Sequence, residues 1–223
     1  VVYHKGKPPV NNADLMLFSM NKAKRIESIN FETETDENTD YFAGSMIISR
    51  ELLLRLVNDA YSEGQISFTR DVIAEMTDKL KIYGFEHKEF VAVLDGTDAY
   101  YNASMALLDV KVRRQLFGTG RPVFTKTRDD MPTRYGTKAN VKNSIIADGC
   151  VINGTVKNSV LFRGVTVEKD AVVENCILMQ ETAVGAAADI NNVISDKNAV
   201  IGENMVLKGT PADCVFVKKN QVL

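Results

Sequence analysis

Few side chains in this sequence are equipped for chemistry, and those that are lie far apart. There are two histidines, His4 and His87. Imidazole titrates near neutrality and serves as a general base in many transferases, but both lie in polar stretches where a solvated role is the plainer reading. Asp95-Gly96-Thr97 follows an apolar run and precedes a helical pattern. A carboxylate there could hold Mg²⁺ beside phosphates, while spacing alone favours a turn with a helix cap. Gly118-Thr119-Gly120 is too short for a phosphate-cradling loop and opens no helix. Cys150, Cys176 and Cys214 are too widely spaced for a zinc pair, and the two that flank apolar positions read as packing residues. Among the basic residues around the second half are Arg134, Lys138, Lys142, Lys157 and Lys197. They could meet a phosphorylated effector, although scattered lysines on a solvated face are commoner.

The composition bounds the alternatives. Apolar residues make up 45% and charged residues 25% of 223, with 27 basic against 29 acidic side chains and a formal charge of -2. That balance offers no electrostatic footprint for nucleic acid, and no apolar run approaches a membrane span. An odd, dispersed set of cysteines and no secretory leader fit a reducing cytoplasm. The chain starts with Val1 rather than Met, so a fragment of a longer protein is expected.

Two textures set these residues in place. Residues 1–115 read as mixed α/β. Leu15, Leu17 and Ser19, then Ile26 and Ile29, predict two strands around a turn at Asn21-Lys22-Ala23, and residues 33–40 an exposed acidic loop. Leu52, Leu53, Leu56, Val57 and Ala60 predict a helix over 50–61, and Val72, Ile73, Met76 and Leu80 a second. Ile82–Phe85 and Phe90–Leu94 read as paired strands, and Thr97 as the N-cap of a helix from Asp98 to Leu108. Residues 116–138, broken by Gly118, Gly120, Pro122 and Pro132, form a connector.

From 139 to 223 a repeat takes over. Asn143, Asn158, Asn175 and Asn192 open similar segments 15, 17 and 17 residues apart. Within it runs a step of six, through Val165, Ala171, Ile177 and Ala183 with Val167, Val173 and Met179 two behind, and again through Val193, Ala199 and Met205. Strand residues two apart face the same way. Six-residue steps therefore describe three short sides of a triangular coil of about eighteen residues, stacked through parallel ladders. The ten-residue step from Ala183 to Val193 predicts a bulge or loop across Gly185–Ile190. An antiparallel sandwich needs no such beat. Hexapeptide coils also occur in acyltransferases, but no histidine lies in the repeat.

These segments resemble the ADP-glucose pyrophosphorylases (glucose-1-phosphate adenylyltransferases). Asp95-Gly96-Thr97 with Tyr101–Leu108, Met131–Tyr135 beside the family's PPAKF, Lys157–Val165 beside its SNSVLFPGV, and Ser195–Gly202 run along most of the chain in order. The resemblance implies the C-terminal half of a Rossmann-like nucleotidyltransferase domain followed by a left-handed parallel β-helix. The departures matter as much. The family's FxEKP reads Phe31-Glu32-Thr33-Glu34, without the lysine that meets phosphate. Phe42 stands where a sugar-binding serine is expected. Leu94 occupies the metal-binding aspartate's place, with Asp95 one position late, on the opposite side of an extended chain. The pattern is similar to the GlgD-type subunits, which implies a non-catalytic regulatory partner in a hetero-oligomer with the catalytic subunit, no catalytic or metal-binding residue in this chain, and Mg²⁺ only in the catalytic members. Effector binding carries over to Arg134 and Lys197. An active nucleotidyltransferase using Asp95 and a purely structural oligomerisation module remain the competing readings.

Overall fold

A computed structural model describes residues 1–8, 15–31, 36–118, 120 and 122–223. Glu32–Thr35, where the altered phosphate motif falls, and Thr119 lie outside the described residues. The chain forms two compact units, Val1–Asp95 and Gly96–Leu223.

The first unit is built on a five-stranded mixed sheet. Its strands are β1 (Val2–Lys5), β2 (Leu17–Met20), β3 (Ile26–Asn30), β4 (Asp40–Phe42) and β5 (Phe85–Glu86), in the order β3-β2-β4-β1-β5. The expected hairpin is β2–β3, antiparallel with an irregularity at Ser19/Met20. Its turn closes because Asn21 Oδ1 accepts from the Ala23 and Arg25 amides at 2.9 and 3.1 Å, with Lys24 at φ 61, the local bonding that makes Asn a turn residue. Helix α1 (Arg50–Glu63) also follows its pattern. Ser49 caps it by accepting from Leu52 N, and Gly64 ends it at φ 71, a left-handed cap that glycine takes without strain. Tyr3, Met16, Phe18, Ile26, Leu56 and Val72 form the unit's main core.

Two expectations fail here. The second helix is instead a π-helical turn, Phe68–Ile73, followed by a 3-10 turn, Ala74–Met76. Ser67 accepts from Arg70 N at 3.2 Å, and the Asp71 carboxylate accepts from the Ile66 and Ser67 amides at 3.0 and 2.8 Å. Those bonds tie the start of the segment before a regular α-ladder is established. The strand pair around residues 82–94 is absent too. Phe85–Glu86 pairs in parallel with β1, and residues 90–94 form no strand. Val91 and Val93 still point the same way, packing on Leu15, Leu17 and Tyr41. The alternation was real, but it reports burial rather than ladder partners.

The second unit opens with α2 (Thr97–Ala106) and α3 (Val110–Leu116). Gly96, not Thr97, is the N-cap of α2, and its backbone is extended. Asp109 caps α3 by accepting from Lys111 N at 2.7 Å. A parallel β-solenoid follows. Its three faces hold five strands each, all paired in parallel, and the first begins at Arg134–Tyr135, inside the expected connector.

The coil length differs from eighteen. Thr155, Val172, Asp189 and Val206 are ladder neighbours, as are Val160, Ile177 and Ile194, so a coil takes seventeen residues. The fully buried pairs Val165/Val167, Ala171/Val173 and Cys176/Leu178 show where the residue goes: two sides step by six and one by five. The short side turns at Asn158, Asn175 and Asn192, all at positive φ of 45 to 53°. Each donates its backbone N–H to the coil before, to the carbonyls of Lys142, Lys157 and Glu174 at 3.1, 3.0 and 3.2 Å. Ile177 and Ala183 therefore face outward, and no bulge interrupts Gly185–Ile190. Val184, Ala188 and Ile190 are fully buried there in regular register. The interior column is Val, Ile, Leu and Ala with Cys150 and Cys176, each large aliphatic member contributing about 1.5–3 kcal/mol when withdrawn from water. Three hydroxyls interrupt it: Ser195 and Thr182, whose oxygens lie 2.9 Å apart, and Ser159, which donates to the Lys157 carbonyl and accepts from the Cys176 amide.

Candidate functional site

In the first unit, the residues with chemical potential are held apart. His4 is tied rather than solvated, with Nδ1 donating to the His87 carbonyl at 2.8 Å and the ring edge-on to Tyr41. Phe42 packs edge-to-face with Phe18, centroids 6.4 Å apart, so its ring serves the core. Leu94 is exposed, while Asp95 is half-buried with Oδ2 enclosed and without a hydrogen-bond partner among the described residues. The two side chains thus have opposite environments, as expected of neighbours on an extended chain. A cavity of about 340 Å³ lies beside α1. It is lined mainly by Met46, Ile48, Leu52, Ile73 and Ile82, with Lys81 at its margin, a surface suited to apolar groups rather than phosphates.

In the second unit, α2 is seated on the solenoid. Tyr101 is buried against Ile177 and Ile194, two outward residues, the first of which the six-residue count had placed inside. Its hydroxyl lies 2.9 Å from the Asn175 carbonyl and 2.8 Å from Asn192 Oδ1, one proton serving two acceptors. Burial pushes its pKa up to about 12, with smaller contributions from Cys214 and Cys176. The corner asparagines stack below it, Asn143 donating to Asn158 at 2.8 Å and Asn158 to Asn175 at 3.3 Å. Burial likewise raises the Cys176 thiol to about 12, so it stays protonated and is no nucleophile.

Arg134 and Lys197 are both exposed. Arg134 sits in the first strand of its face, and Lys197 lies at the corner leading to Val200, in the last. Four ladder spacings separate those strands, roughly 19 Å. One copy of the chain does not bring the two side chains to a common ligand. Lys138 has different company. It lines a cavity of about 170 Å³ with Gly136, Thr137, Asn153, Lys169 and Asp170. The signal for it was present in the sequence, in the single fifteen-residue interval between Asn143 and Asn158.

Comparison with known proteins matches this architecture. The family model described as "GlmU-like, C-terminal hexapeptide" covers residues 129–212. The chain is 36% identical to the glycogen biosynthesis protein GlgD of Bacillus subtilis (strain 168) over 79% of its own length and 51% of that protein. It is 43% identical to GlgD of Geobacillus stearothermophilus over 57% of this chain and 37% of the relative. It is 28% identical to the glucose-1-phosphate adenylyltransferase of Corynebacterium jeikeium (strain K411) over 90% of this chain and 46% of that enzyme. GlgD proteins are thus close homologues of the chain, and glucose-1-phosphate adenylyltransferases more distant ones. The chain spans about half the length of the curated relatives it matches. Leu94 and Phe42 are positions where this chain departs from the resemblance noted above. No helix among the described residues is long and apolar enough to cross a membrane.

Proposed function

We propose that this chain is part of a glycogen-biosynthesis protein of the GlgD type, acting as a non-catalytic regulatory partner of a catalytic glucose-1-phosphate adenylyltransferase in a cytoplasmic hetero-oligomer. The observation that carries the reading is Leu94. Nucleotidyl transfer depends on a cation that neutralises phosphate charge, and an exposed leucine in the ligand's place supplies no oxygen to hold it. Phe42, committed to an aromatic pair with Phe18, removes a hydroxyl from the sugar side. Higher identity to the two GlgD proteins than to the C. jeikeium enzyme supports the same branch.

A second reading rests on Asp95. Its enclosed, unpartnered Oδ2 is the kind of atom a Mg²⁺ ion would satisfy, since that ion is often held by one or two carboxylates plus substrate phosphates. The described residues supply Asp95 without a supporting set, because no three His, Cys, Asp or Glu converge among them. On the regulatory reading, a phosphorylated effector would meet Arg134 and Lys197 at separate places.

The test is ADP-glucose formation from ATP and glucose 1-phosphate, assayed for the full-length protein, the catalytic subunit and their mixture. The expected result is no product from the protein alone and a changed rate or effector response in the mixture. Mg²⁺-dependent turnover by the protein alone, lost in Asp95→Asn, would replace the first reading with the second.

A further inference from the structure

The solenoid contains one coil that is too short. Asn140 and Thr155 are ladder neighbours fifteen residues apart, whereas Thr155 to Val172 and Val172 to Asp189 take seventeen. The two missing residues come from one corner. Lys138-Ala139 and Asp170-Ala171 belong to full corners, while the coil between them turns through Asn153-Gly154 alone. Gly154 makes this turn workable. A Cβ there would lie 2.4 Å from the Ala171 carbonyl and 2.7 Å from that of Glu168, so only a bare backbone can cut the corner this close.

The shortened corner leaves a notch between its neighbours, the 170 Å³ cavity lined by Thr137, Lys138, Asn153, Lys169 and Asp170. A backbone donor faces it. In the full corners the left-handed residue points its N–H at the coil before: Ala187 donates to Lys169 O at 3.0 Å and Asn204 to Ala186 O at 2.9 Å. Asp170, at φ 59, has the same conformation. Its matching acceptor would belong to the part of the corner that the short coil lacks, and no hydrogen bond from its N–H is found among the described residues.

We infer that this notch binds a small oxyanion of the phosphate class, free or as the end group of a phosphate monoester. A turn that presents a left-handed residue's N–H to a concavity is a recurrent anion-binding geometry. The ammonium groups of Lys138 and Lys169 add two positive charges against the one Asp170 carboxylate, and Thr137 and Asn153 supply further donors. The volume corresponds to about six waters and is below the roughly 300 Å³ of a typical small-molecule pocket. The anionic group enters and any organic remainder stays in solvent. This inference does not depend on the regulatory reading above, since it concerns binding by the 223-residue chain alone.

The test is a ¹H–¹⁵N titration of this chain with inorganic phosphate, against chloride at matched ionic strength, and in a parallel arm with glucose 1-phosphate. The expected result is a saturable shift of the Asp170, Lys138 and Lys169 amides with phosphate and none with chloride. Lys138→Gln with Lys169→Gln weakens binding at least tenfold, and a two-residue insertion between Asn153 and Gly154, which restores a seventeen-residue coil, abolishes it. Tighter binding of the ester identifies a monoester as the ligand, and equal binding identifies the free anion. Shifts that fail to saturate, that chloride reproduces, or that survive the double substitution overturn the inference. The double substitution lies on exposed side chains, so it decides the matter even where the insertion disturbs folding.

Discussion

Tyr101 links a helix to the solenoid through one hydroxyl shared by Asn175 and Asn192. Tyr101→Phe keeps the ring against Ile177 and Ile194 but leaves two acceptors without their donor. The expected loss is about 1–3 kcal/mol, the usual cost of stranding a buried polar group, measured by urea unfolding. The pH dependence has a definite sign. Burial raises the Tyr101 pKa from 10.0 to about 12, so the folded state holds this proton more tightly than the unfolded chain. Its contribution is complete below pH 10 and is lost as pH rises toward 12. In an alkaline titration followed by tyrosinate absorbance, Tyr101→Phe removes a component that ionises near pH 12. The role of Tyr101 was not legible in the sequence. Its partners are more than seventy positions away, and nothing local marks the outer face of a strand as covered.

At the scale of elements, periodicity was legible where one physical demand dominated. Helix α1 needed an apolar stripe, a Ser cap and a Gly stop, and all three occur in order. The solenoid needed inward pairs, and these were visible as a beat. The sequence reading failed where two demands overlapped. A five-residue side among six-residue sides shifts the phase by one, and in a strand one residue is the difference between inside and outside. Ile177, apolar and buried, matched the wrong column because α2 covers it from outside. Glycine substitutions separate these effects. Gly154→Ala forces a methyl into two carbonyls and should destabilise by about 1–3 kcal/mol, the range for overpacking. Gly120→Ala, with nothing within 4 Å, should leave the thermal midpoint unchanged within error.

For the whole molecule, stacked coils contact only their neighbours, so stability is a sum of local terms. Residues Lys218–Leu223 close the last coil. Gln221 and Leu223 accept from the Val200 and Gly202 amides at 2.8 Å each, and Leu223 donates to Val200 at 2.9 Å. Deleting 218–223 should expose that edge and speed hydrogen exchange at Val200–Leu207 by at least tenfold. Amides at Val165–Leu178, two coils inward, should keep their protection. Equal loss across all coils would show that the solenoid unfolds as one unit instead. The same one-dimensional order explains why Arg134 and Lys197 do not converge. Residues on one face at opposite ends of a stack are held apart by the intervening strands.

By itself the sequence determined the class of fold, the solenoid's triangular logic and the corner asparagines, because each depends on residue type and short-range spacing, whereas Phe42 and Leu94 stood out only against the family resemblance. Only the tertiary structure decided which face of each strand was inside, what covered Ile177 and Ile194, how Asp95 Oδ2 came to be enclosed, and that a two-residue deficit opens a notch beside two lysines, with an amide that has no partner among the described residues. Those features arise where segments distant in the chain meet, and a one-residue difference in coil length is enough to change which segments do.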